Sequence, residues 1–193
     1  MSIAETDIDG RIGTRIRELR AERGLTLDAL AELAIVSRGM LSRIERGESS
    51  PTAHLLGKIC NGLGVTLSAL FAATEVPSRP LVRRGDQPTW RDPASRYLRR
   101  KVSPAGTGSP VDITEIEFPA GASVAFDSQR LAGKDQHVWV LSGTLEMQLG
   151  GEQFRLETGD CLFMRFDRPV LFRNPTKRMT RYAVIIGHAG AKS

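Results

Sequence analysis

Arg38 and Arg43 stand five residues apart in the run Ser37-Arg38-Gly39-Met40-Leu41-Ser42-Arg43-Ile44-Glu45-Arg46-Gly47. A guanidinium is a rigid fork of N–H donors. It matches the O6/N7 edge of guanine bidentately, and one such pair discriminates between bases by about 1–3 kcal/mol. Ser42 and Thr26 add hydroxyls of the kind that donate to phosphate. Gly39 has no side chain and would let a backbone come close. Ser37, placed before the run, can cap a helix whose first N–H groups favour an anion. The candidate nucleic-acid contacts are therefore Thr26, Ser37, Arg38, Gly39, Ser42, Arg43 and Arg46. A solvated basic helix face is the competing reading for the arginines. Glu45 reads as structural, a partner for Arg15 or Arg20.

Such residues need a scaffold, and the flanking periodicity supplies one. Ile12, Ile16 and Leu19 fall on one face of a helix that Gly24 ends. Thr26 caps a second helix, Leu27–Ala34, with a stripe of Leu27, Leu30, Ala31 and Ala34. After Ile35–Val36, Ser37 caps a third over Arg38–Arg46, with Leu41 and Ile44 turned inward. Pro51 and Thr52 open a fourth, with Leu55, Leu56, Ile59, Cys60 and Leu63 buried and Gly64 at its end. Thr66 opens a short fifth, Leu67–Phe71. Within the third helix Arg38 and Arg43 are roughly 140° apart around the axis, and both can reach the walls of a groove about 12 Å wide.

Five short helices with a tight turn between the second and third form a helix-turn-helix arrangement. The stretch Ile12–Phe71 resembles the XRE-type (lambda-repressor-like) DNA-binding domain. The resemblance is carried by Ile16-Arg17-Glu18-Leu19-Arg20, Leu30-Ala31, Ser37–Gly47, Pro51-Thr52 and Leu63-Gly64-Val65. It implies double-stranded operator DNA as partner and a homodimer reading two half-sites about one helical turn apart. Many relatives carry glutamine where the second helix begins. Here the residue is Leu27, so Thr26 or Asp28 would have to share that backbone contact.

Beyond residue 110 the period changes from helical to β. Val111–Phe118, His137–Leu141, Thr144–Leu149, Glu152–Leu156, Cys161–Phe166, Val170–Arg173 and Arg181–Gly187 read as strands. Gly150-Gly151 has the spacing of a two-residue hairpin, and Gly143 and Gly159-Asp160 mark further turns. Many short antiparallel strands make a sandwich or jelly-roll barrel. The stretch from Val111 to Ile186 resembles a cupin, through Val138-Trp139-Val140-Leu141-Ser142-Gly143, Leu156-Glu157-Thr158-Gly159-Asp160 and Pro169-Val170-Leu171-Phe172-Arg173-Asn174. The fold class is thus an all-α helix-turn-helix domain followed by an all-β cupin barrel.

That resemblance also implies where a metal would sit, and the residues there are wrong for one. The position of the cupin glutamate is Gln136, no histidine occurs near 130–132, and the second-motif histidine is Val170. Divalent metals need imidazole, thiolate or carboxylate at ordered spacing. His137 is turned to the opposite face from Gln136 by alternation, and His54 and His188 are remote. No metal and no cofactor is expected. With Gln136 and Val170 inward, Val138, Val140 and Phe172 face inward too, joined by Tyr182 and Val184. Arg130 can supply a charge for a carboxylate. Gln136, Val138, Val140, Val170, Phe172, Tyr182 and Arg130 either line a small-molecule pocket or, for the apolar ones, fill a core. Trp139 belongs on the outer face.

Between the two units, residues 76–110 hold six of the ten prolines and the charge surplus. Net charge is −1 over residues 1–75, +6 over 76–110 and 0 over 111–193, within a total of +5. Prolines exclude a long helix here. The segment reads as a connector with strand candidates Leu81–Arg84 and Tyr97–Val102. Its basic residues either touch phosphate or serve as edge-strand charges of the barrel. The domain plan is a tail (1–10), the DNA-binding domain (11–75), the connector and first barrel strands (76–110) and the ligand-sensing domain (111–193). Hydrophobic residues are 40% and charged ones 25%, a globular composition. No apolar run approaches a membrane span, and Met1–Gly10 lacks the character of a signal peptide. Cys60 and Cys161 form no CxxC pair, which suits a reducing cytoplasm; both are expected to be buried and structural. The expected function is a transcriptional regulator sensing a small metabolite. A cupin enzyme with an accessory DNA-binding head is the alternative, against which the missing histidines and the absence of a nucleophile–base constellation count. A single-domain antitoxin would not need the barrel.

Overall fold

The computed structural model describes residues 3–72, 80–128 and 134–188. The chain divides into two compact units, Met1–Glu75 and Val76–Ser193.

The described residues of the first unit form five helices: α1 (Ile3–Glu22), α2 (Leu27–Leu33), α3 (Arg38–Glu45), α4 (Ala53–Leu63) and α5 (Leu67–Ala72). Side-chain oxygens of Thr26, Ser37 and Thr52 accept from Ala29, Met40 and Leu55 N–H and open α2, α3 and α4. Each satisfies one of the N–H groups a helix start leaves orphaned. α4 closes on Gly64 at φ +65°, the left-handed conformation that favours glycine. Ile12, Ile16, Leu30, Leu41, Ile44, Leu56, Ile59 and Leu70 are fully buried and make the core. Leu55, expected inside, is half-buried because the α4 stripe is centred on Leu56 and Ile59. α1 starts at Ile3 rather than near Arg11, because nothing between Ile3 and Gly10 breaks a helix. The segment expected as a tail is thus helical from Ile3, and the Ser50 hydroxyl bonds Asp9.

Among its described residues the second unit holds ten strands in two sheets. β1 (Thr89–Arg91), β2 (Leu98–Lys101), β3 (Val111–Phe118), β5 (Lys134–Ser142), β8 (Cys161–Arg165) and β10 (Thr180–His188) form one, ordered β1-β2-β3-β10-β5-β8. β4 (Ser123–Phe126), β6 (Leu145–Leu149), β7 (Glu152–Leu156) and β9 (Val170–Arg173) form the other, ordered β4-β9-β6-β7. The strand pairings among the described residues are antiparallel. Phe118, Leu145, Met147, Val138 and Val140 lie in the core between the sheets. At one end Asn174, fully buried, donates to the carbonyls of Phe118, Pro119 and Arg178 at 3.0, 3.0 and 2.7 Å and accepts from Thr176 N–H. This single amide ties the end of β9 to the end of β3.

Two strand expectations are corrected. Leu81–Arg84 is not a strand; Leu81 is exposed and Arg84–Asp86 is one 3-10 turn. With one exposed leucine and three charged or β-branched neighbours, the segment has no face to bury. Tyr97–Val102 contracts to β2.

Candidate nucleic-acid interface and barrel interior

α1 crosses α3 so closely that a Cβ on Gly13 would lie 2.1 Å from the Ile44 carbonyl oxygen. Arg20 of α1 clamps Glu45 of α3 with two N–H···O bonds of 2.7 and 2.8 Å and donates also to the Leu25 carbonyl. The Glu45 hydrogen bond raises the Arg20 pKa above its ordinary value despite partial burial. Both helices are therefore fixed at the inner side of α3, and its outer side is left for a partner.

On that outer side Ser37, Arg38, Gly39, Arg43 and Arg46 are exposed, as is Thr26 at the head of α2. Arg38 Nε lies 2.8 Å from Asp28, an ion pair between the starts of α3 and α2 with both side chains largely in solvent. Such a pair contributes at most about 1 kcal/mol and yields readily to a phosphate or a base edge. Arg43 leans on the Met40 thioether at 3.9 Å. Arg46 is more committed: it holds Glu48 at 2.6 and 2.7 Å and bonds the Ser42 hydroxyl. The Thr26 and Ser37 oxygens accept backbone N–H groups, which leaves each hydroxyl proton available to donate. Thr26, Ser37, Arg38 and Gly39 thus lie at the starts of α2 and α3, and Ser42, Arg43 and Arg46 along the second half of α3, with Arg38, Arg43 and Gly39 the least encumbered.

The turn between α2 and α3 has a feature that periodicity missed. Ile35 sits at φ +54° and is 80% exposed. A β-branched residue there is strained by about 1–2 kcal/mol. The strain is held by the C-terminal cap of α2: Ile35 N–H bonds Glu32 O and Val36 N–H bonds Ala31 O.

In the barrel, Gln136, Val138, Val140, Val170, Phe172 and Tyr182 are all buried. Tyr182 pairs with Val140 across β10 and β5 and stacks on Phe172 of the other sheet at 5.9 Å. Burial, followed by Tyr97, pushes the Tyr182 pKa well up, so the phenol stays a neutral donor. The Gln136 amide contacts the Met164 thioether at 3.5 Å. Arg130 lies outside the described residues. Among the described residues no three His, Cys, Asp or Glu side chains gather as metal ligands would. The residues at the cupin metal position, Gln136 and Val170 beside Phe172 and Tyr182, offer a carboxamide, hydrocarbon and a phenol. That donor set does not fit a divalent metal. His137 is exposed on the outer face beside Phe163, at 5.3 Å, and Trp139 is 46% exposed there. Cys161, expected inside, is exposed. It opens β8 opposite Trp139 and shares that strand pair's outer face. Cys60 is buried.

Three of the eight basic residues of the connector meet carboxylates of β3. Arg84 reaches Glu115 and Glu117 at 3.0 and 3.3 Å, Arg100 reaches Glu117 at 3.8 Å, and Lys101 bonds Asp112. Arg181 of β10 adds Nε to Glu115 at 2.8 Å. Burial pushes the Glu115 carboxyl up, but hydrogen bonds from Arg181 and Arg84 outweigh it and hold its pKa below the ordinary 4.5. A carboxylate depressed in the fold stabilises at pH above its unfolded value, and the gain is lost as pH falls through the folded value. The wild type should therefore melt above Glu115→Gln at neutral pH. The gap should close as the pH is taken below 4.5. A gap that widens in acid would show the sign to be wrong.

Comparison with known proteins matches the helical unit to a family and the chain as a whole to solved and curated regulators. The helix-turn-helix family HTH_3 matches residues 16–70. The HTH-type transcriptional regulator SutR of Escherichia coli is 28% identical over 176 residues, covering 91% of this chain and 93% of that protein. The crystal structure of an HTH_3 family transcriptional regulator from Vibrio cholerae covers 95% of this chain and 98% of its own, at 26% identity and a TM-score of 0.76. A cupin domain of an XRE family regulator from Enterobacter cloacae is 26% identical over 48% of this chain, with a TM-score of 0.44.

Proposed function

We propose that this transcriptional regulator, an XRE-type helix-turn-helix domain joined to a cupin domain, reads a two-fold operator as a homodimer. Its α3 enters the major groove, and its barrel senses a small molecule without metal or turnover. The observation that carries the DNA reading is the division of α3 into two sides. Gly13 and Arg20 hold one side, while Arg38, Gly39 and Arg43 stand exposed on the other. Arg38 and Arg43 take base edges. Thr26, Ser37, Ser42 and Arg46 take phosphates, with Ser42 and Arg46 exchanging their mutual bond for the backbone. One short helix reads only a few base pairs, so specificity at genomic scale requires two heads on one site. A regulator of operators works in the cytoplasm.

The sensing reading is supported by a barrel whose interior mixes hydrocarbon with Gln136 and Tyr182, and whose metal position cannot hold a metal. The enzyme reading would require a reactive group there, and these side chains supply none that the sequence or the site geometry assigns to catalysis. Effector binding would act by favouring one spacing of the two heads over another.

The test is fluorescence anisotropy on a duplex that the protein selects from a random pool. Two chains should bind each duplex, and affinity should fall steeply and log-linearly with salt. One chain per duplex, or affinity indifferent to salt, would defeat the dimeric phosphate-clamping scheme.

A further inference from the structure

The outer face of the larger sheet is apolar where the solvated face of an antiparallel sheet is ordinarily polar. Trp139 of β5 and Phe163 of β8 are 46% and 48% exposed, and Val111 of β3 is 38% exposed. Residues opposite each other in a ladder share a face. Register therefore sets Ile113 of β3, Ile185 of β10, His137 of β5 and Phe163 of β8 in one row across the sheet. The next row runs Glu115, Ala183, Trp139 and Cys161. Glu115 is the one acid in the two rows, and it is buried under Arg84 and Arg181. Other charge lies at the two ends of the face. Glu117 meets Arg84 and Arg100 at one end, and Asp135 stands opposite Arg165 at the other.

An apolar centre with a charged rim is the anatomy of a protein interface. The four strands from β3 to β8 span about 19 Å, and seven residues along them about 23 Å. That is a footprint of roughly 440 Å², and rings standing proud of it add accessible area. Apolar patches of about 300–600 Å² on a monomer are often functional, and a stable dimer covers about 800 Å² per partner. The face thus supplies the centre of such a contact and much of its extent.

Its relief points to the occupant. β5 and β8 carry the rings of His137, Trp139 and Phe163, while β10 and β3 carry Ala183, Ile185 and Ile113. Consider a two-fold axis in the plane of contact, parallel to the strands and above the line between β10 and β5. It lays β5 over β10 of a second copy, and β8 over β3 of that copy. High ground then meets low ground in both halves. Each charged end meets the same end of the other copy, and neither end is a block of one sign. A partner of uniform charge finds like charge at both ends; a copy does not.

We infer that a second copy of this chain packs on this face, related by that axis. The inference rests on the homodimer reading above and gives that dimer its interface.

The test uses the full chain without DNA. Sedimentation equilibrium should show a dimer at micromolar concentration. Trp90 is 3% exposed, so Trp139 is the tryptophan that iodide can reach. Quenching should be efficient in dilute monomer and fall as the dimer forms. Trp139→Glu with Phe163→Glu should weaken self-association at least about a hundredfold, because each sets a charge in an apolar contact. The far-ultraviolet dichroism of that variant should match the wild type, since both side chains are half in solvent. If it does not, the concentration dependence of quenching in the wild type decides alone. A dimer that tolerates both substitutions, or whose Trp139 is as open to iodide as in the monomer, overturns the face and leaves the homodimer reading intact. A chain that is monomeric in solution but sits two to a duplex does the same. A chain that is monomeric in solution and binds its duplex singly overturns both. A monomer whose Trp139 is already shielded from iodide overturns the inference too, because the chain then covers the face itself.

Discussion

Replacing Arg38 and Arg43 together with alanine should cut affinity for the selected duplex at least roughly a hundredfold, about 3 kcal/mol or more. Each residue stands to lose a bidentate contact, and neither is needed by the fold. Both are exposed on α3, and their contacts are a solvent-facing Asp28 and a Met40 thioether. The melting curve of the double variant should therefore overlay that of the wild type. Its preference among sequences should flatten, since base readout is lost while phosphate contacts persist. Affinity within about threefold of wild type, with the fold intact, would mean that α3 is not the reading helix.

The second large effect is on stability, and its sign is diagnostic. In an isolated helix Gly→Ala stabilises by about 1 kcal/mol. At Gly13 the substitution should instead destabilise by about 3 kcal/mol. The new methyl would lie 2.1 Å from a carbonyl oxygen and 3.1 Å from the next peptide, neither of which is a flexible side-chain end. For a unit of this size that lowers the melting point by more than about 10 °C. Because the clash is with α3 itself, operator affinity should fall as well, even though Gly13 touches no DNA. A higher melting point for Gly13→Ala, in a thermal scan of the full chain, would show that α1 and α3 do not pack as described.

Much of the DNA-reading unit was legible because its signals are local. Thr26, Ser37 and Thr52 announce helix starts through their own hydroxyls, and all three cap. Leu41 and Ile44 announce the buried side of α3, and both are fully buried. The partner of Glu45 was narrowed to Arg15 or Arg20, and packing chose Arg20. The close approach at Gly13 and the positive φ of Ile35 were not legible. The first depends on a residue over thirty positions away, and the second places isoleucine in a conformation that glycine normally announces.

The barrel divides along similar lines. Long strands with hydrophobic alternation, such as β3 and β10, were found within a residue of their true limits, while β5, expected from His137 to Leu141, runs from Lys134 to Ser142 because its polar start gives no apolar signal. β1 and β4 were missed, since three or four residues with one or two buried side chains give no period to detect. The connector hid the most. Leu98-Arg99-Arg100-Lys101 alternates in space but not in polarity, so nothing in it marks Arg99 and Lys101 as inward. Cys161 misled for the opposite reason: it lies in an apolar run on an edge strand, whose outer face no other element covers among the described residues.

The pairing of the connector's arginines with β3 bears on how the regulator finds its site. A cationic patch left open would hold the second unit to any stretch of duplex and lengthen every unproductive stop along a chromosome. Here Glu115 and Glu117 occupy Arg84 and Arg100, and Asp112 holds Lys101, so three of the connector's eight cations are spent on their own sheet. Each such pair removes one cation from non-specific hold and so shortens the time lost on wrong sequences, in a chain whose isoelectric point is near 9.7.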